Sequence, residues 1–194
     1  MAKKDKSAKK DKSAKGSEST KGSGPTGEVL KAGRFRTPPF IASYAHVFEA
    51  KESMSGDMKY SMAMIFPSDT DLSLMNELID SVASAKFGDD KKKWPKGFKH
   101  PLRSGDDERD GVGPYGGTMY MNGSSKRKPG LINKEKNELY DDSEFYSGCI
   151  ARATVSFFAY DKGGGKGVGV GLHNIQKLMD GEPLDGRVPA EDDF

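Results

Sequence analysis

Between Cys149 and Tyr160 the chain alternates without a break. Cys149, Ala151, Ala153, Val155, Phe157 and Ala159 fall on one face, and Ile150, Arg152, Thr154, Ser156, Phe158 and Tyr160 on the other. A period of two belongs to a strand, because successive side chains of extended backbone point to opposite sides. The odd-numbered face is apolar and mostly small, which suits the interior of a tightly curved sheet. Residues 168–175 read as a second strand, and Gly163-Gly164-Gly165 between the two reads as a hairpin turn. Gly167, Gly169 and Gly171 share one face of that second strand. A strand stripped of alternate side chains is either sharply bent or approached closely by another backbone. Both signals favour a small, partly closed barrel over a flat sandwich.

The remaining elements are consistent with that frame. Folded structure is expected from about Val29. Tyr60, Met62, Met64 and Phe66 lie on one face of an alternating run that Pro67 ends, which predicts a half-buried strand. Ser68-Asp69-Thr70-Asp71 then resembles a capping box, and Leu72, Met75, Leu78, Ile79, Val82 and Ala83 recur at helical spacing as far as Gly88. This predicts one amphipathic helix over about 68–87. Residues 88–114 read as a long loop, and strand signals return at 118–122.

Charge divides the chain. Its 31 basic and 29 acidic side chains nearly cancel. However, residues 1–24 hold eight lysines against three carboxylates, and residues 180–194 hold six carboxylates against Arg187. The start is a repeat, Ala-Lys-Lys-Asp-Lys-Ser at 2–7 and again at 8–13, with nothing to bury. Such a segment cannot offset its ordering entropy. The expected organisation is a disordered Lys-rich tail at 1–26, one domain at 27–179 and an acidic tail at 180–194. No apolar stretch is long enough for a membrane span, and none follows the first lysines as a secretory signal requires, so a cytoplasmic protein is expected. A single cysteine, Cys149, precludes an intramolecular disulfide and reads as a buried structural thiol. His46, His100 and His173 are too scattered for a zinc site. No metal and no cofactor are expected.

The even-numbered face of 149–160 carries the functional signal. Arg152, Phe158 and Tyr160 among hydroxyls provide π-faces for unpaired bases and a cation for phosphate. Tyr120 and Trp94 are further stacking candidates. Arg103, Lys126, Arg127, Lys128, Lys162 and Lys166 stand where loops should border that face. Catalytic signals are thin: Gly111-Val-Gly113-Pro-Tyr-Gly116 spells a dinucleotide-binding pattern, yet Pro114 interrupts it and no strand precedes it. Asp106, Asp107 and Glu108, with Asp110 nearby, make a divalent-metal nuclease the enzymatic rival. A protein-binding adaptor is the other. The tip Glu191-Asp-Asp-Phe194 pairs carboxylates with a terminal ring, a combination that fits a basic, aromatic-lined groove or a pocket on a protein partner.

Several short segments together resemble a known family. They are Pro101-Leu-Arg-Ser-Gly-Asp106, Tyr115-Gly-Gly-Thr-Met-Tyr-Met-Asn122 running to Pro129-Gly130, Phe145-Tyr-Ser-Gly-Cys149, Phe158-Ala-Tyr-Asp161, Lys166-Gly-Val168, Gly171-Leu-His-Asn-Ile-Gln-Lys177 and Asp180-Gly-Glu-Pro-Leu184. In order and spacing they look like phage single-stranded DNA-binding proteins, an OB-fold family formerly known only as a domain of unknown function. The resemblance runs over about residues 28–194. It implies a mostly β fold: a five-stranded Greek-key OB barrel with additional strands and one amphipathic helix. It further implies sequence-tolerant binding of single-stranded DNA without catalysis, in phage replication, recombination or repair in the host cytoplasm. Partners would be single-stranded DNA and, through Glu191, Asp192, Asp193 and Phe194, replication or recombination proteins. No membrane partner is implied, and a homodimer is allowed.

Overall fold

Five strands pair in a ring, and that ring organises everything else. The computed structural model describes residues 26–53, 55–162 and 164–184. In chain order its elements are β1 (Glu28–Val29), β2 (Phe35–Arg36), β3 (Phe40–Glu52), β4 (Met58–Phe66), α1 (Ser73–Phe87), β5 (Arg103–Ser104), α2 (Gly105–Arg109), β6 (Met119–Ser125), β7 (Gly130–Ile132), β8 (Ile150–Lys162) and β9 (Gly165–Met179). Pairing runs β3, β4, β6, β9, β8 and back to β3. Within the ring only β6 and β9 are parallel, meeting at Ser124 and Gly171. This closed Greek-key arrangement is the OB barrel. The short strands attach outside it: β2 on β8, β1 on β2, β5 on β6 and β7 on β9.

The core is built from the alternation read in the sequence. Cys149, Ala151, Ala153 and Val155 point inward beside Val168, Val170 and Leu172 of β9. A register shift after Leu172 then turns Ile175 inward as well. Burial pushes the Cys149 thiol above its ordinary pKa, as suits a structural side chain. Helix α1 buries Met75, Ile79 and Ala83 and packs chiefly on β8, with a smaller contact on β9.

Three local expectations change. The helix starts at Ser73 rather than near residue 68, because Asp71 Oδ1 accepts the Ser73 N–H at 2.9 Å and Thr70 N–H turns back to the Pro67 carbonyl at 3.0 Å. Those side-chain and turn bonds hold 68–72 in a turn that competes with helix. Strand β4 is buried on both sides, since Ala63 and Ile65 on its outer face lie inside a second cluster or beside it, formed with Tyr115 and Tyr120. The stretch 88–114 contains β5, a second short helix α2 and two 3-10 turns, so it is not simply a long loop and the fold does not have one helix alone. Its order comes from local bonds. Trp94 Nε1 donates to the Gly88 carbonyl at 2.7 Å, Ser104 Oγ caps α2 at the Asp107 N–H, and Asp106 Oδ1 accepts the Gly117 N–H at 2.9 Å.

The glycine face of β9 serves the close approach it suggested. Lys99 pairs with Gly167, its N–H bonding the Lys166 carbonyl at 2.8 Å while its own carbonyl accepts from Val168 N–H at 3.1 Å. A Cβ on Gly167 would lie 2.3 Å from that carbonyl oxygen. Gly167→Ala is therefore expected to lower stability by about 1–3 kcal/mol, the usual cost of overpacking. Gly165→Ala, whose nearest contact would be an ordinary 3.6 Å, should leave the denaturant midpoint almost unmoved.

Candidate nucleic-acid interface

In an OB barrel the outer surface of the second and third strands, flanked by the loops joining strands one to two and four to five, is the oligonucleotide-binding surface. Here those strands are β4 and β6, and the flanking loops are the turns of the β3–β4 and β8–β9 hairpins. Register defines the floor. His46, Ser61 and Ser124 stand side by side across β3, β4 and β6, and Gly171 and Ser156 continue the row on β9 and β8. Beside it, Ser43, Ala63 and Asn122 form a parallel row, in which Ser43 and Ala63 are buried and only Asn122 is exposed. Every residue of the first row except His46 is smaller than a valine, so a chain can lie close to the sheet there. Its one histidine neighbour on β9, His173, meets Ser156 Oγ at 3.0 Å through Nε2, and burial with the Arg34 charge holds its pKa below the ordinary value.

One rim is basic and self-neutralised. Asp57, in the β3–β4 turn, accepts from Lys126 Nζ at 3.2 Å and lies 3.5 Å from Lys59 Nζ. The Lys126 hydrogen bond and charge, helped by Lys59, hold the Asp57 carboxyl below its usual range. Arg127 is exposed beside them, and the Lys128 ammonium sits 5.6 Å from the Phe48 ring centre.

The other rim is the β8–β9 hairpin. Phe158 is 52% exposed and pairs with Gly169, where a Cβ would lie 2.6 Å from the ring. The missing side chain lets the phenyl ring lie over the neighbouring strand with its other face free. Tyr160 is half-buried two residues on, Lys162 is exposed, and Lys166 is 3.4 Å from Asp161.

Other expected site residues are placed differently. Tyr120 is only 1% exposed: it lies edge-on to Tyr115, under the Arg103 and Arg109 guanidinium groups, and offers bases no free face. Trp94 is engaged by Phe98 at 4.7 Å and by its bond to Gly88, so it fastens the segment after α1. Arg103 lies 3.6 Å from Glu108. Arg152 is on the outer face of β8 but at its other end, where Nε donates to Gln176 Oε1 at 2.9 Å. The carboxylates of the nuclease alternative diverge. Asp106 holds Gly117, Glu108 faces Arg103, and among the described residues no group of three His, Cys, Asp or Glu side chains could hold a metal ion. Glu191, Asp192, Asp193 and Phe194, like the lysine repeat, lie outside the described residues. Residues 180–184 return across the barrel: Leu184 N–H bonds the Ser147 carbonyl at 2.9 Å, and Gly148 and Gly181 cross backbone to backbone. Burial pushes the Tyr146 hydroxyl up to about 12, so it remains a donor to Asp180 and Gly181.

The sequence reading missed Ser43, His46, Lys59, Ser61, Asn122 and Ser124. Small polar residues on a strand carry no motif, and only the register gathers them. Among the described residues no helix is long and apolar enough to cross a membrane.

A basic-rimmed face of small residues on an OB barrel defines a class of oligonucleotide-binding protein. Residues 37–194 match the family model described as the Enterobacter phage Enc34 ssDNA-binding protein, and the chain belongs to that family. A protein designated p50 from Acyrthosiphon pisum secondary endosymbiont phage 1 is 34% identical over 74% of this chain and 82% of its own. The fold matches the single-stranded DNA-binding protein of bacteriophage Enc34 in complex with ssDNA, with a TM-score of 0.68 and 21% identity over 82% of this chain and 94% of that one. It also matches gp2.5, a single-stranded DNA-binding protein encoded by bacteriophage T7, with a TM-score of 0.56 and 12% identity over 82% and 99% of the two chains.

The Asp57 rim yields a prediction. Asp57→Asn releases Lys59 and Lys126 from their carboxylate, so affinity for an oligothymidylate should rise, and the slope of log K against log salt should steepen by about 0.7 for each additional phosphate neutralised. An unchanged slope would show that neither lysine reaches phosphate.

Proposed function

We propose that the chain is a non-catalytic, sequence-tolerant single-stranded DNA-binding protein that supports phage DNA replication, recombination or repair in the host cytoplasm. The observation that carries this reading is the exposed Phe158 ring lying over Gly169, at the edge of a floor of small residues with lysines on both rims. Bases stack on Phe158, with Tyr160 next to it, while Lys126, Arg127, Lys128 and Lys166 neutralise phosphates. Arg103 and Arg152 contribute charge from farther out. A duplex is disfavoured because its bases already stack on one another and have no free face for a ring. The family membership supports the same reading. The acidic tip Glu191–Phe194 is proposed to engage replication or recombination proteins, and a homodimer remains compatible with the function.

The test is a fluorescence-anisotropy titration of labelled oligothymidylate and of a matching duplex at several salt concentrations. Tight binding to the single strand with a slope near −3.5, for about five neutralised phosphates at −0.7 each, is expected. Phe158→Ala should weaken that binding by about 1–3 kcal/mol without moving the melting temperature, since the ring is half-exposed. Equal affinity for duplex, or a slope near zero, would refute the reading. Strand cleavage with added magnesium, abolished in an Asp106→Ala, Asp107→Ala double variant, would install the nuclease in its place.

A further inference from the structure

Next to the floor, where α2 and the following turn cross β3, the surface opens into a cleft of about 460 Å³. It is lined by Tyr44, Arg109, Val112, Pro114 and Tyr115, with Leu184 on the opposite wall. Its position follows from β3. The register of β3 against β4 shifts between Ser43 and His46, and within that irregularity Tyr44 takes φ +47°. A bulge of this kind re-aims a side chain that regular pleating would have directed elsewhere. Left-handed backbone at a bulky residue is uncommon and persists only where its surroundings enforce it. The outcome is a tyrosine that is 56% exposed, next to the buried Ser43 at the margin of the floor. Ser43 itself is tied to the cleft, because Tyr115 Oη donates to its Oγ at 3.2 Å.

The cleft has two kinds of surface. Val112, 69% exposed, and Pro114 are apolar. Arg109 is cationic, and its guanidinium lies 5.4 Å from the Tyr44 ring centre, 5.2 Å from Tyr115 and 5.5 Å from Tyr120. Among the described residues it makes no ion pair with a carboxylate. Three rings hold the guanidinium in place, and the Tyr120 hydroxyl accepts from it; with five N–H donors in its fork it has others to offer a ligand. Apolar walls, one ring with an exposed face and a guanidinium at the edge match a planar heterocycle that has carbonyl acceptors on its rim. A nucleobase swung out of a bound single strand has that chemistry. Its flat faces suit Tyr44 and Pro114, and its exocyclic oxygens suit Arg109.

We propose that this cleft is a separate nucleobase subsite, holding one extruded base of the bound strand against Tyr44 with its rim turned to Arg109. The subsite rests on the DNA-binding reading above and adds to it a fixed anchoring point away from Phe158. It also explains a strained Tyr44 that the barrel does not otherwise require.

The test uses the full chain and a 5-iodouracil-substituted oligothymidylate. On irradiation, the base adduct mapped by mass spectrometry is expected at Tyr44. In parallel titrations Tyr44→Ala should weaken binding by about 5- to 150-fold, the range for loss of one stacked base. Tyr44→Phe should retain most of the affinity, and Val112→Glu, which puts a carboxylate on the exposed rim, should lose it. Melting temperatures within a degree or two of the parent would show that these exposed positions act on binding. Parent-like affinity in Tyr44→Ala, with adducts confined to other residues, would overturn the subsite while the parent titration still upheld DNA binding. No binding by the parent would overturn both. Tighter binding in Tyr44→Ala that vanishes once residues 190–194 are deleted would assign the cleft to the chain's own acidic tip, and would likewise overturn the proposal.

Discussion

The pairing of β8 with β9 is the interaction on which the rest of the molecule depends. It runs from Ile150 opposite Met179 to Lys162 opposite Gly165, with two register shifts. One side of this ribbon supplies a large part of the barrel's inner wall. The other side supplies the exposed ring of Phe158. A two-stranded ribbon alone is marginal in water and needs an apolar partner to persist. Here α1 and the closing contacts to β3 and β6 provide it. The hairpin can then project past the barrel carrying aromatic and basic groups while its base stays fixed.

Much of this was legible in the sequence. The alternation of Cys149–Tyr160 fixed which side chains face inward, and the structure places Cys149, Ala151, Ala153 and Val155 inside and Phe158 outside. Gly167 marked a close backbone approach, though nothing in the sequence identified Lys99 as the partner. Tyr120 shows where local reading fails. On an outer strand face between methionines it looks available, but a segment that follows α1 in the chain folds back over it. Whether an outward side chain meets water or protein is decided by chain topology, which a period of two cannot reveal. The residues of the floor were invisible for a related reason. Ser61, Ser124 and Ser156 are far apart in sequence and common in type, and strand pairing alone makes them neighbours.

Electrostatics follows the same logic. Of the lysines expected to contact phosphate, Lys126 and Lys166 are held by carboxylates, Asp57 and Asp161, and Lys59, which the sequence did not mark, shares Asp57. Surface pairs of this sort contribute little to stability. They do hold long side chains in position, so in the proposed binding mode a phosphate arriving at the rim would exchange with a carboxylate and need not recruit a freely moving cation. The basic character of the face is thus graded: Arg127 and Lys162 are open, Lys128 lies by the Phe48 ring, and Lys59, Lys126 and Lys166 are paired with carboxylates.

The ends of the sheet have a further consequence. Among the described residues, β1 and β5, two residues each, and β7, three residues long, pair on one side alone, and so do the far part of β3, whose pairing with β8 covers only Phe40 and Ile41, and β8 from Ser156 to Lys162. Long unpaired edges template sheet growth between molecules, and natural proteins shorten or cover them. A protein that coats a nucleic acid sets its copies shoulder to shoulder at very high local concentration, the condition under which stray edge pairing is most dangerous. The small strands are too short to template a neighbour, and the longer one-sided stretches carry charges, Glu49, Lys51 and Glu52 on β3 and Asp161 and Lys162 on β8. Neighbours crowded on one strand of DNA can therefore touch through loops and side chains without fusing their sheets, and a coated strand stays a string of separable beads.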